Sequence, residues 1–486
     1  MPVDSPLYMD YRALFVGADV QVPVLGGGTA QYVNFDNAAS TPPLKSVHQS
    51  VTAFMNYYSS VHRGTGFKSQ LATHAYEEAR RVVTEFVGAD PATHVCIFGK
   101  NTTEALNKLA RRFPFTAERD VVVSSGMEHH SNDLPWRYAV TPALAQPTPC
   151  TVVHVALRPD GGLDMEDFER ALQQYKDRVA LVSISGGSNV TGFIQPIHEL
   201  AEQAHAVGAH IAVDCAQLAP HRAVEMLSLD DPAHLDYAAI SAHKMYAPYG
   251  TGALVGRRDT FERGTPDMVG GGTIDIVTLD SVDWAAPPDR DEAGSPNTVG
   301  AVALAAALTQ LSAIGMEAVA AHEIELTAYA LEKFAAMPEV HLFGDADPAN
   351  AASRLGVLPF NLNGLNHFLV SAVLGYEFGV GVRNGCFCAH PLIFHLHGLD
   401  KEEIEQVRRQ MLNHNKASMP GMVRASFGLY NTTDEIDTFV DALNCIVKGE
   451  YRGEYVQDVE SGEYAPKGWQ PDFEQYFSLK APVPAA

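Results

Sequence analysis

Short apolar runs that stop abruptly at polar residues recur through the first half of the chain: Val121-Val-Val123, Val152-Val-His-Val155, Leu181-Val-Ser-Ile184, Ile211-Ala-Val213 and Ala238-Ala-Ile240. Each reads as a strand buried on both faces. Helical spacing lies between several of them, over residues 164–175 and 197–207, and also before the first, over 69–87 with Leu71, Ala75, Ala79, Val82, Val83 and Phe86 on one face. Gly88 follows the earliest of these helices as a cap, and Pro196 and Gly208 bracket the latest. Cys96-Ile-Phe98 adds a strand, and Asn101-Thr-Thr-Glu104 opens the next helix with residues that cap free backbone N–H groups. Buried strands alternating with helices predict an α/β fold built on a mostly parallel sheet.

Past about residue 265 the texture changes. A helical pattern runs from Val299 through Ala336, and shorter strands (355–358, 380–382, 422–426) then alternate with helices (367–378, 402–413, 434–447). This predicts an N-terminal segment over 1–30, a large domain over 31–295 and a smaller α+β domain over 296–448, against which the N-terminal segment can also pack. A tail over 449–486, rich in Tyr, Gly, Glu and Pro, reads as an extended strap or a partly disordered segment.

Composition narrows the function classes. The 34 basic and 58 acidic residues give a net charge of −24 and no basic stripe, which argues against nucleic acid and anionic membranes as partners. No apolar run approaches the roughly 20 residues of a membrane span, and residues 1–6 lack the pattern of a secretory leader. Six scattered cysteines suggest reduced thiols and a cytoplasmic protein. Cys386-Phe-Cys388 has no second Cys/His pair beside it, so no metal is expected.

Ligands of parallel sheets bind where the strands end. The polar residues there are Glu128-His129-His130, Ser188-Asn189, Asp214 with Gln217, and Ser241-x-His243-Lys244. Taken alone, Ser-x-His-Lys is most simply a solvated loop. Together the set matches the needs of pyridoxal phosphate: a lysine for the aldehyde, a carboxylate for the pyridinium nitrogen, hydroxyls for the phosphate and a ring to stack. Lys244 supplies the first, Asp214 the second, Thr103, Ser241 and His243 the third, and His129 the last.

At this point the chain resembles the aminotransferase class V family of fold-type I pyridoxal-phosphate enzymes, and within it the cysteine desulfurases. The resemblance rests on Phe35-Asp-Asn-Ala-Ala-Ser40, Val61-His-Arg-Gly64, Thr102-Thr-Glu104, Met127-Glu-His-His-Ser-Asn132, Ser188-Asn-Val190, Val213-Asp-Cys-Ala-Gln217 and Ser241-Ala-His-Lys-Met-Tyr246. It continues through Gly270-Gly-Gly272, Glu292-Ala-Gly-Ser-Pro-Asn297, Val382-Arg-Asn-Gly-Cys-Phe-Cys388 and Val423-Arg-Ala-Ser-Phe427. It implies a seven-stranded, mostly parallel sheet in the large domain and a homodimer. Lys244 would bond to the cofactor, Asp214 and Gln217 would face its ring, and His129 would stack on it. Thr102, Thr103, Ser241 and His243 would hold the phosphate, with Ser295 reaching the phosphate of a neighbouring copy. Asn189, Arg424 and Ala38 would contact the amino-acid substrate, L-cysteine or a relative of it. Cys388 would take the substrate sulfur as a persulfide, leave alanine and pass the sulfur to an acceptor protein.

The chain departs from the family where sulfur is handled. Cys386-Phe387-Cys388 replaces the usual His-His-Cys and resembles the run of molybdenum-cofactor sulfurases, Gly186-Gly187 precedes Ser188-Asn189, and Ser295 replaces a threonine. Cys386 reads as structural or as a resolving thiol, and Tyr246, His130 and Arg63 as possible pocket residues. A C–S or C–Se lyase, an epimerase or an aminotransferase of the same fold would need Lys244 but not Cys388, and a non-catalytic scaffold would need neither.

Overall fold

The apolar runs form one seven-stranded sheet in the computed structural model, which describes residues 10–139 and 150–480. The leader reading at residues 1–6 and the last six residues of the tail therefore lie outside the described residues. The strands are β1 (His94–Gly99), β2 (Val121–Ser125), β3 (Thr151–Val155), β4 (Val179–Ser185), β5 (His210–Asp214), β6 (Tyr237–Ser241) and β7 (Gly252–Arg257). Their spatial order is β1-β7-β6-β5-β4-β2-β3. Strands β2 to β6 run parallel, and β7 is antiparallel to both its neighbours.

Every residue of β2, β4 and β6 is buried. Successive side chains point to opposite faces: Val121, Val123, Ile211, Val213, Ala238 and Ile240 enter one core, while Val122, Ala212 and Ala239 enter the other. Both faces are dry, so the strands must be apolar throughout, and each fully buried Val or Ile contributes roughly 1.5–3 kcal/mol. At the sheet's amino edge, the buried Asp236 is ringed by His205, His210 and Arg257 at 2.9 to 3.2 Å, with His234 at 3.4 Å, and accepts the Ile211 N–H. The carboxyl edge is left for chemistry.

A second, antiparallel sheet has its own core. Strands β8 (Val340–Leu342), β9 (Val357–Leu362), β10 (Arg383–Gly385) and β11 (Met422–Ser426) lie in the order β8-β9-β11-β10. Helices Met316–Ala335, His367–Phe378 and Thr433–Val447 cover it with Leu326, Phe334, Val370, Leu374, Ile436 and Phe439. The segment Val33–Asn34 pairs in parallel with Val380–Gly381, and Phe35 enters this second core. That crossing carries Asp36 to the edge of β11, where it bridges to Ser426.

Two expectations are corrected. The pattern over 299–336 is two helices, Thr298–Ile314 and Met316–Ala335, bent by 79°. Gly315 sits at φ +91° between them and donates its N–H to Leu311 O, so apolar spacing continues while the axis turns. The first of these helices packs into the core of the large sheet through Leu304, Leu308 and Leu311. The tail, read as an extended strap or a partly disordered segment, forms over its described residues a hairpin of Tyr455–Gln457 with Tyr464–Pro466. Glu377 accepts from Gly453 N and Tyr455 Oη, and Trp469 packs edge-on against Tyr376. Those contacts are made by scattered polar and aromatic residues, which leave no periodicity to read.

Gly252 lets the helix Thr102–Arg112 begin directly against β6. A Cβ there would lie 2.6 Å from Ile240 O and 2.7 Å from Asn101 Cα, both backbone atoms that cannot turn away. Gly252→Ala is therefore expected to lower the unfolding free energy by about 1–3 kcal/mol, read from the denaturation midpoint by circular dichroism.

Candidate active site

The carboxyl edge opens into a cavity of about 290 Å³. Lys244 closes a short turn, Ala242–Lys244, that follows the last residue of β6. Asp214 ends β5, pairs in register with Ala239 of β6, and lines the same cavity. Its Oδ1 accepts the Ala216 N–H at 2.9 Å, and burial raises its pKa while Lys244 opposes the rise. Burial pushes the Lys244 amine down to about 8; Asp214 and Cys388 pull it up and Arg424 pushes it further down. An amine so placed is a usable nucleophile and proton carrier near neutral pH.

His129 lines the cavity from the turn after β2. Its Nδ1 accepts the Ser131 N–H at 3.1 Å, and burial with the Lys244 charge lowers its pKa to about 3, so the ring is neutral. Beneath it, buried Glu128 accepts from Ser125 Oγ, Ser185 Oγ and Asn132 Nδ2 at 2.6 to 2.7 Å. Those bonds tie the ends of β2 and β4 together and fix the turn that carries His129.

At the other end of the cavity, the helix Thr102–Arg112 points its amino terminus inward, capped by Asn101 Oδ1 accepting from Glu104 N at 3.0 Å. Ser241 Oγ accepts the Thr102 N–H at 2.8 Å and donates to Thr102 Oγ1 at 3.0 Å. Thr103 Oγ1 and Ser131 Oγ share a hydrogen bond of 2.6 Å, and His243 lines the same wall. Hydroxyls around a helix amino terminus form an anion site.

Arg424 enters from β11 of the second sheet and is buried. Its Nη1 donates to Asn189 O at 2.9 Å and its Nη2 to Asp36 Oδ1 at 3.3 Å, while its buried Nε has no hydrogen-bond partner. Gln217 Nε2 donates to Ala38 O at 2.8 Å, holding the small-residue turn against the cavity. The side chain of Asn189 faces Phe387, donating from Nδ2 to its carbonyl at 2.7 Å. Arg383 stands at the mouth, paired with Asp36 Oδ2 at 2.7 Å.

Cys388 borders the cavity and is exposed, on the same lining as Lys244 and Arg424. Cys386 is a different thiol: it is buried, donates to Pro420 O at 3.1 Å, and is pushed up to about 12 by burial. All six cysteines are unpaired.

The cavity thus gathers Ala38, Thr102, Thr103, His129, Asn189, Asp214, Gln217, Ser241, His243, Lys244, Cys388 and Arg424. Ser295 is exposed and outside it. Tyr246 is buried behind the wall with its hydroxyl accepting from Leu429 N, and Arg63 reaches Ile274 O on the surface. His130 donates its backbone N–H to Cys388 O at 2.8 Å and stacks on His390. Sequence reasoning missed Ser131, Phe387 and Arg383 in the lining and Asp36 behind it. All four lie inside the family motifs quoted above, but those motifs gave none of them a role.

The family profile of the class-V aminotransferases matches residues 33–439. A protein of Haloferax volcanii named cysteine desulfurase is 35% identical over 433 residues, 88% of this chain and 93% of its own. A cysteine desulfurase of Dickeya dadantii is 36% identical over 415 residues, 85% and 91% of the two chains. The solved apo structure of a cysteine desulfurase from Thermococcus onnurineus superposes with a TM-score of 0.73 at 33% identity, covering 86% of this chain and 95% of that one. The Escherichia coli cysteine desulfurase CsdA gives a TM-score of 0.71 at 26% identity, covering 92% and 99%. Matched in sequence over most of its length and in the fold that carries the cavity, the chain belongs to the aminotransferase class V family.

Proposed function

We propose that the protein is a pyridoxal-phosphate-dependent cysteine desulfurase that converts L-cysteine to L-alanine and leaves the sulfur on Cys388. One observation carries this reading: the Lys244 amine, the Arg424 guanidinium with its unpartnered Nε, and the exposed Cys388 thiol border a single cavity. The relatives named as cysteine desulfurases support it.

The residues fit the cofactor. Asp214 is a buried carboxylate on the cavity lining, Lys244 an amine of lowered pKa and His129 a neutral ring on the same lining, with Thr103, Ser131, Ser241 and His243 a set of donors at a helix amino terminus. Asp214 would hold the ring nitrogen with Gln217 nearby, His129 would stack, and Thr102, Thr103, Ser241 and His243 would hold the phosphate. When bound, the group supplies an electron sink for charge at the substrate Cα. Arg424 takes the substrate carboxylate through its free N–H, a task suited to a planar guanidinium, with Asn189 and Ala38 shaping that end. Lys244 moves the Cα proton. The Cys388 thiolate attacks the substrate sulfur: an S–S bond forms as the Cβ–S bond breaks, and the proton released from the thiols ends on the alanine methyl group. The persulfide sulfur then passes to an acceptor protein, chemistry suited to the reducing cytoplasm.

Ser295 is assigned to the phosphate of a second copy in a homodimer. Its exposure outside its own cavity supports this, as does the nearby exposed hairpin of Ile274–Val277 and Val282–Trp284, which presents Ile276, Val277 and Leu279.

Cys388→Ala is expected to keep the visible absorbance of bound cofactor and to reduce alanine formation from L-cysteine on the order of 10²-fold or more; alanine released at the full rate would overturn the reading. The rate at which cofactor-free protein takes up pyridoxal phosphate is expected to rise with pH through a midpoint of about 8, because only the neutral Lys244 amine attacks. Asp214→Asn removes the charge that holds that value up and is expected to move the midpoint lower. Stopped-flow absorbance reads both, and a midpoint near the ordinary 10.5 would mean that Lys244 is solvated.

A further inference from the structure

We infer that Phe387 is a positioning residue that couples the carboxylate-binding arginine to the sulfur-accepting thiol; this rests on the proposed desulfurase reading. The chain leaves β10 at Gly385, and Cys386 is pinned by its bond to Pro420 O. Phe387 and Cys388 then both adopt left-handed backbone, at φ +51° and +55°. Two successive non-glycine residues there are disfavoured and persist only where outside contacts hold them.

Those contacts close a circuit. The Phe387 ring lies over the Arg424 guanidinium, with Cζ 4.8 Å from the ring centroid. Arg424 Nη1 donates to Asn189 O at 2.9 Å, and Asn189 Nδ2 donates back to Phe387 O at 2.7 Å. The next carbonyl, that of Cys388, accepts the His130 N–H at 2.8 Å. The thiol thus hangs from a peptide whose two flanking carbonyls are both anchored, one of them through the residue that holds Arg424.

The stacked ring has two consequences for a ligand. It covers one face of the guanidinium and leaves the in-plane N–H edge, where Nε is unpartnered, to meet a carboxylate. It also takes the place of water over a buried cation, where such a contact is strongest. A carboxylate that settles on Arg424 therefore presses on the same arginine, asparagine and phenylalanine that set the position of Cys388.

Phe387→Leu keeps an apolar side chain of similar bulk but loses the aromatic face. It is expected to raise KM for L-cysteine about tenfold with a smaller fall in kcat, and Phe387→Tyr is expected to restore KM to within about twofold. A readout independent of turnover uses the cofactor-free protein: the alkylation rate of Cys388 by iodoacetamide, followed on its peptide by mass, with and without propionate as a carboxylate lacking a thiol. Propionate is expected to change that rate about threefold or more in the wild type and in Phe387→Tyr, and to leave it unchanged in Phe387→Leu. The inference is overturned if Phe387→Leu matches the wild type in KM and in its response to propionate, or if kcat alone falls. A wild-type protein that forms no alanine from cysteine would instead overturn the functional reading, and the alkylation comparison would still test the coupling.

Discussion

A lysine amine held out of water beside one buried carboxylate is the interaction on which the site depends. Burial disfavours the Lys244 ammonium and the Asp214 carboxylate alike, and each is the other's partial remedy. The balance leaves Lys244 near 8, between a permanently charged surface lysine and a neutral buried one. Sheet register maintains that balance. Asp214 pairs with Ala239, so it lies two residues short of the end of β6, and Lys244 follows on the turn beyond. Asp214 is buried and Lys244 half-buried against it, so the amine is only partly solvated.

The other half of the site comes from a different sheet. Arg424 lies on β11 and Asp36 reaches it because Val33–Asn34 crosses to pair with Val380–Gly381. The joint between the sheets is made largely of buried charges held by hydrogen bonds. Arg354 donates to Thr191 O at 3.0 Å and also to Val357 O, fastening the loop that carries Asn189 to β9. Glu323 accepts from Gly356 N and from Arg222; burial would raise its pKa, but His221 and Arg222 outweigh burial and hold it near 2. A charge left without its partner at such a joint is costly, which favours one relative placement of Arg424 and Lys244.

The two cysteines of Cys386-Phe387-Cys388 show how far environment separates identical side chains. Cys386 is buried against a carbonyl and its thiol is pushed up to about 12, whereas Cys388, two residues on, is exposed at the cavity mouth. Histidines divide in the same way. His205 and His210 serve the Asp236 ion network at the amino edge of the sheet, while His129 and His243 line the cavity at the carboxyl edge.

The strands, the parallel sheet and the polar residues at its carboxyl edge were legible in the sequence, because strands dry on both faces must be apolar along their length and must stop where polar residues begin. Lys244, Asp214, His129 and Ser241 were legible for the same reason, each lying within a few residues of a strand end. The family motifs extended that reading to Arg424 and Cys388. The turn at Gly315 was not legible, since helical spacing persists through it, and neither was the tail hairpin, whose contacts have no period. Nor was the environment that sets Arg424 and Cys388 apart: Asp36, Arg383, Phe387 and Asn189 meet only when two sheets dock, across separations of up to 388 residues. Sequence alone determined which residue types stand at the ends of which elements. The tertiary structure decided which of those ends share one desolvated space, because charge, burial and stacking act through distance in space and not along the chain.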